Sequence, residues 1–277
     1  MTRRRFIADS WTATTATLTG DQAIHLARVL RAEPGQIFDI VANGFLHRAE
    51  ITQVTAGSNG ENQIHFLLHE ELSADASLPL HLLLAVFKFD HMEWAIEKAT
   101  ELGIARITPI LARRTEKHLA QSALKRAERW RRIALEASKQ SRRIDIPEIA
   151  DPIPLKQALE QEKSPTRILL SETEQTTTLT AALESSQLST NHQEIFDPGT
   201  NDRVPHPSQP HRDGWDVNSS PTRITYAIAI GPEGGWAPEE ISLFIQHAWQ
   251  PVTLGPRILR AETAAIAAIA IASTHLI

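Results

Sequence analysis

The apolar run Tyr226-Ala227-Ile228-Ala229-Ile230 passes without a break into Gly231-Pro232-Glu233-Gly234-Gly235. A strand with no polar alternation has to be covered on both faces, which is the situation of a strand inside a parallel sheet flanked by helices. The turn behind it bares its peptide groups, because glycine has no Cβ to hold a ligand away from the backbone. A second strand ends in Leu254-Gly255-Pro256-Arg257-Ile258-Leu259-Arg260-Ala261-Glu262-Thr263. In open parallel sheets, ligands lie in the crevice beyond the carboxyl ends of the strands. One such loop by itself reads better as a tight strand-to-helix connection. Two of them, with Arg257, Arg260 and Glu262 gathered beside the second, point to a small-molecule site.

The α/β pattern starts well before this pair. Residues 80–87 are another near-continuous apolar run, and Met92, Ala95, Ile96, Ala99 and Leu102 then recur at helical spacing up to Gly103, a natural helix stop. Further strands are predicted at 105–111 and 166–170. A long helix at 119–141 would bury Ala123, Ala127, Trp130, Ala134 and Ala137. Behind the first glycine turn, Pro238 opens a helix whose Glu239 and Glu240 face the positive end of its dipole, with Ile241, Phe244, Ile245 and Ala248 as its buried stripe. The last helix, 261–275, is so rich in Ala and Ile that it should be enclosed, in part by a second subunit.

Residues 1–73 read differently, as β-rich. Strands at 36–42 and 45–54 flank Asn43-Gly44, a strong hairpin signal because both central positions of a type I′ turn need φ > 0. A strand at 63–69 follows, and a short helix at 21–31 precedes them. The stretch 73–77 (SADAS) has linker composition, which places domains at 1–74 and 75–277. Residues 185–222, with five prolines and little to bury, read as a mobile surface insertion.

The net charge of -5 would argue against a nucleic-acid partner if the charge were evenly spread, but distribution decides. Between Lys117 and Arg143 stand nine Lys/Arg against two acids, Glu128 and Glu136. Arg3, Arg4 and Arg5 with His25, Arg28 and Arg31 offer a second basic group; both also read as solvated faces. With no cysteine, neither a disulfide framework nor a thiolate metal site is available. The start of the chain shows no apolar segment of signal-peptide type, and the tail 264–272 is far shorter than the ~20 residues that cross a bilayer, so a cytoplasmic protein with no membrane partner is expected. No GxxxxGK[ST] occurs, no GxGxxG follows the first parallel strand, and the histidines are scattered singly, so no metal is predicted.

The two glycine-bearing motifs resemble the signature pair of the bacterial small-subunit ribosomal RNA (uracil-N3) methyltransferases, of the SPOUT class. The resemblance extends to Lys88 with 93–103 (EWAIEKATELG), Arg129-Trp130, Gln140-Ser141-Arg142, Pro147, and His25-Leu26 with Val29-Leu30-Arg31, in the family's order. It implies an α/β fold, a SPOUT-type knotted parallel-sheet domain with a small N-terminal PUA-like β-barrel, and a homodimer. The insertion at 185–222 departs from the family pattern, which is shorter there.

The resemblance further implies that S-adenosylmethionine binds where three loops meet, at Leu170 and Glu172, at Ile230, Gly231, Pro232, Gly234 and Gly235, and at Leu254, Gly255, Ile258 and Leu259. Ribosomal RNA would be held by Arg3, Arg5, Arg28, Arg31, Lys88 and Arg142. Methyl transfer to a ring nitrogen needs alignment, a proton acceptor and a cation for developing oxygen charge. Arg260 is the candidate cation; Glu262 is the catalytic carboxylate put forward, with Glu233 and Glu172 as other acceptors. Each could instead be structural: a cap, a turn brace or an ion-pair partner. Two rival classes stay open: a non-catalytic RNA-binding ribosome assembly factor of the same fold, and an enzyme acting on a small molecule.

Overall fold

The computed structural model describes residues 5–55, 62–72, 77–194 and 224–276. The chain divides into two compact units, one of Met1–Ser77 with Arg131–Pro147, the other of Leu78–Trp130 with Glu148–Ile277.

The first unit holds β1 (Arg5–Ile7), β2 (Ser10–Trp11), β3 (Thr15–Leu18), α1 (Gly20–Ile24), β4 (Ile37–Ala42), β5 (Phe45–Thr55) and β6 (Gln63–Leu72). The strands form one sheet in the order β1-β4-β5-β6-β3-β2, antiparallel throughout except for β1 with β4. The β4–β5 turn falls on Asn43 (φ 52) and Gly44 (φ 76), both left-handed as a type I′ turn requires. The two outermost strands follow one another directly in the chain. Between them, Ala8 N donates to Val41 O (2.8 Å) and Asp9 N to Thr17 O (3.0 Å), so one extended stretch pairs with both ends of the sheet. Phe6, Leu18, Leu26, Ile40, Ile51, Ile64 and Phe66 fill the core. The helix predicted at 21–31 is α1 continued by a π-helical turn, His25–Val29, in which Leu30 N reaches back five residues to His25 O.

The second unit is a parallel sheet with helices. Its strands are β7 (Leu78–Ala85), β8 (Ile104–Leu111), β9 (Glu148–Ile149), β10 (Ile153–Pro154), β11 (Thr166–Leu170), β12 (Tyr226–Ile230) and β13 (Gln250–Val252). Its helices are α2 (Phe89–Glu101), α3 (Lys117–Ser141, which crosses into the first unit), α4 (Leu155–Gln161), α5 (Leu179–Glu194), α6 (Pro238–Gln246) and α7 (Ala261–Leu276). The order is β10-β8-β7-β12-β11-β13, with β9 beside β8 and every pair parallel. All five residues of β12 are buried, as the absence of alternation demanded. Ala227 and Ala229 pack with Leu83, Leu169, Leu159 of α4 and Phe244 of α6. The small side chains of α7 let it lie close against α2, α5, β7 and β12. No helix among the described residues is long and apolar enough to cross a membrane.

Three expectations need correction. Ile245 lies within α6 but is 56% exposed, and Ala248, at φ 58, lies beyond the end of the helix at Gln246. The cover comes instead from Trp249, which meets Phe244 edge-on at 5.3 Å, as Trp236 does from the other side at 4.7 Å. The insertion expected at 185–222 does not begin at 185: α5 runs on to Glu194, anchored by buried Leu179, Ala182 and Leu183, and polar composition lowers helix propensity without forbidding a helix so tethered. Residues 195–222 lie outside the described residues. Finally, the basic run 117–143 is partly neutralised. Arg129 makes a two-pronged pair with Glu93 (2.6 and 2.8 Å), and the Arg143 side chain, only 8% exposed, is held by Asp145 and Ser77.

Candidate functional site

A cleft of about 1050 Å³ opens in the second unit beyond the carboxyl ends of the strands. Its walls are the segments that follow β11, β12 and β13, joined by Lys88 and His91 after β7 and by Arg114 after β8. All the residues named for the cofactor line it: Leu170 and Glu172; Ile230, Gly231, Pro232, Gly234 and Gly235; Leu254, Gly255, Ile258 and Leu259. Arg260 lines it as well, exposed and paired with no carboxylate among the described residues. Lys88, assigned above to RNA, stands in this wall too.

Local chemistry fixes each wall. At Gly231 a Cβ would lie 3.1 Å from Trp236 Nε1, so the glycine lets the indole pack closely over the turn. Gly235 N donates to Pro232 O (2.8 Å), and Arg114 Nη1 donates to Gly234 O (2.6 Å). Buried Glu240 ties the turn to the β8 end by accepting from Ala237 N (2.9 Å) and Arg113 N (2.7 Å). The third segment turns at Gly255, whose φ of 114 is closed to other residues without strain; its N–H donates to Thr253 Oγ1 (3.1 Å). Thr253 N in turn donates to Thr177 O (2.8 Å), binding the first and third segments together. In the first segment Glu174 accepts from the Thr176 hydroxyl and from the Thr177 and Thr176 amides, which hold its carboxyl down at about 2.

One side of the cleft concentrates charge. Glu233 pairs with Lys88 (3.7 Å) and lies 3.7 Å from His91 Nδ1. His91 Nδ1 is also 3.5 Å from Glu262 Oε1. Glu262, on the first turn of α7, is only 1% exposed and does not reach the cleft wall; His91 stands in the wall beside it. The carboxylate put forward as catalytic is therefore set behind a histidine that sequence reasoning passed over. His91 and Arg114 share a signal that was available, since both closely follow the carboxyl end of a parallel strand.

Of the residues named for RNA, Arg5, Arg28, Arg31 and Arg142 belong to the first unit. Arg28, Arg31 and Arg142 are exposed, and Arg5 Nη1 donates to the Arg142 carbonyl. Arg3 lies outside the described residues. Among the described residues no cluster of three His, Asp or Glu side chains is arranged for a metal ion. His65 Nδ1 lies 3.1 Å from the Thr17 hydroxyl, and His69 pairs with Glu50.

A family model described as an RNA methyltransferase domain matches residues 74–197 and 203–273. The chain is 34% identical over 259 residues to the ribosomal RNA small subunit methyltransferase E of Synechocystis, covering 92% of this chain and 72% of that protein. Its counterpart of the same name in Bacillus subtilis is 28% identical, over 93% of this chain and 89% of its own length. Among solved structures, a ribosomal RNA small subunit methyltransferase E from Neisseria gonorrhoeae bound to S-adenosyl methionine superposes with a TM-score of 0.68 at 26% identity, covering 99% of this chain and 98% of that one.

Proposed function

Because the chain belongs to the RNA methyltransferase family that includes the small-subunit ribosomal RNA methyltransferases E, we propose that it methylates N3 of a uridine in small-subunit ribosomal RNA, with S-adenosylmethionine as donor. The observation that carries this reading is the single cleft shared by the three segments after β11, β12 and β13.

The residues of the cleft suit that donor. Leu170, Ile230, Leu254 and Leu259 give apolar surface for a purine, and glycine turns leave peptide groups bare for its polar edge. Beside Gly255 a Cβ would meet nothing within 4 Å, so the backbone there faces open space. Glu172 and Glu174 supply carboxylates for a cationic ligand, and Glu174 stays ionised well below neutral pH. When bound, S-adenosylmethionine supplies an electrophilic methyl group on a sulfonium. The walls hold donor and acceptor in line, which removes entropy otherwise lost on reaching the transition state. Arg260 steadies charge building on a uracil oxygen, and its planar guanidinium also suits a neighbouring phosphate.

The finer architecture follows the same reading. The crossovers of β11, β12 and β13 form a trefoil knot, and two subunits associate as a homodimer in the cytoplasm. Residues 1–74 form a PUA-like barrel, a reading supported by the continuous stretch Ile7 to Ser10 that pairs with both ends of the sheet. With 75–277 as the catalytic domain, Arg3, Arg5, Arg28, Arg31 and Arg142 hold RNA and Lys88 meets it at the cleft.

The test is primer extension through small-subunit ribosomal RNA from a strain deleted for the gene, before and after treatment with the protein and S-adenosylmethionine. A methyl-dependent stop that disappears on deletion and returns on treatment is expected. A stop unaffected by deletion would overturn the assignment.

A further inference from the structure

We propose that His91 is the proton acceptor for methyl transfer and that Glu262 positions it. The proposal rests on the reading that the methyl acceptor is a uracil N3, which carries a proton that has to leave.

Glu262 is 1% exposed, and among the described residues its Oε2 makes no hydrogen bond. A carboxylate withdrawn from water in this way is costly unless a partner compensates it. The group available is His91, whose Nδ1 is itself without a hydrogen bond among the described residues and lies between Glu262 Oε1 at 3.5 Å and Glu233 Oε1 at 3.7 Å. Those separations are longer than a formed hydrogen bond, as catalytic contacts often are before substrate arrives.

Two carboxylates stand on the Nδ1 side, the one at 3.5 Å buried, against the exposed Asp90 alone at 3.8 Å from Nε2, an arrangement that favours the proton on Nδ1. Nε2 is left as the basic nitrogen of a side chain that lines the cleft and is 29% exposed. Glu262 and Glu233 are worse placed for the same task. Glu262 is off the wall, and Glu233 is already shared with Lys88. Among the described residues, the charged groups within 4 Å of the His91 ring nitrogens are Asp90 on α2 (3.8 Å from Nε2), Glu233, which pairs with Lys88, and Glu262 from α7.

In the step, the N3–H bond breaks and its proton passes to Nε2. The electron pair left on N3 forms the bond to the methyl carbon, and the carbon–sulfur pair leaves with the sulfur. The resulting imidazolium lies against Glu262 and Glu233 and returns its proton to water.

The test uses the full-length protein, small-subunit particles from the deletion strain, and three measurements: single-turnover methylation against pH, S-adenosylmethionine affinity by calorimetry, and ¹⁵N NMR of the His91 ring. The wild type is expected to show the Nδ1–H tautomer before any ligand is added. His91→Asn should bind S-adenosylmethionine as the wild type does and transfer roughly 100- to 10,000-fold more slowly, the usual worth of a general base, with a residual rate that climbs as hydroxide takes over. Glu262→Gln should shift the His91 ring resonances and lower the rate less. An active wild type with His91→Asn unchanged in rate and pH profile overturns the proposal, as does an Nε2–H tautomer. A wild type inert on the particles overturns the uridine reading and this proposal with it.

Discussion

Arg114 Nη1 donates to the carbonyl of Gly234 at 2.6 Å, joining the end of β8 to the glycine turn after β12 across 120 residues of sequence. The arginine is exposed, so its bond competes with water and contributes modestly, about 1 kcal/mol. Arg114→Ala should therefore weaken S-adenosylmethionine binding by about fivefold in calorimetry while leaving the melting temperature nearly unchanged. A large drop in thermal stability would mean that the bond serves the fold instead.

Gly231→Ala should be far more damaging. The added Cβ would lie 3.1 Å from Trp236 Nε1 and 3.3 Å from two ring carbons, and the ring is wedged against Phe244 at 4.7 Å. The indole has to give by a few tenths of an ångström against Phe244, with a cost of about 1–3 kcal/mol for overpacking. At least a tenfold loss of cofactor affinity is expected in calorimetry, with quenched or shifted tryptophan fluorescence.

Glu240 answers two backbone amides, those of Ala237 and Arg113, from a site only 8% exposed. Glu240→Ala strands both donors, and about 1–3 kcal/mol is the usual cost of each. A fall in melting temperature on the order of 5 °C is expected in a thermal scan, together with weaker cofactor binding. Glu240→Gln, which keeps one acceptor, should lie between.

Glu162 sets an acid limit on stability. Burial pushes its carboxyl up, but the contact with His81 (2.5 Å) and the bond from Ser164 N (2.7 Å) outweigh burial and hold it from 4.5 down to about 2. Because the folded value is the lower one, the stability it contributes is complete above about 4.5 and disappears as pH falls toward 2. Denaturant melts across that window should show Glu162→Gln less stable than wild type at pH 7, with the gap closing by pH 2. A gap constant with pH would show that the carboxylate charge contributes nothing.

Local patterns made much of this protein readable before its structure. Tyr226–Ile230 is a strand as its apolar run required, Thr166–Leu170 is a strand as predicted, and the Asn43-Gly44 turn adopts the left-handed pair of dihedrals that its residues favour. The short strands β9 and β10 escaped notice because two residues carry no period, and α4 because seven residues give barely two turns. The polar half of α5 was masked by composition, its helicity depending on the buried Leu179 and Leu183.

The sequence alone determined which segments must be buried strands, where glycine bares the backbone, and that the family resemblance covers nearly the whole chain. Tertiary structure alone decided that β12 lies between β7 and β11, which carries Lys88 and His91 to the turn at Glu233 and α7 to their flank. It alone turned Glu262 inward behind His91. The physical reason is one of range. Periodicity and turn chemistry act over a few neighbours, whereas a carboxylate's exposure and the partner it finds depend on crossovers that join residues more than a hundred positions apart.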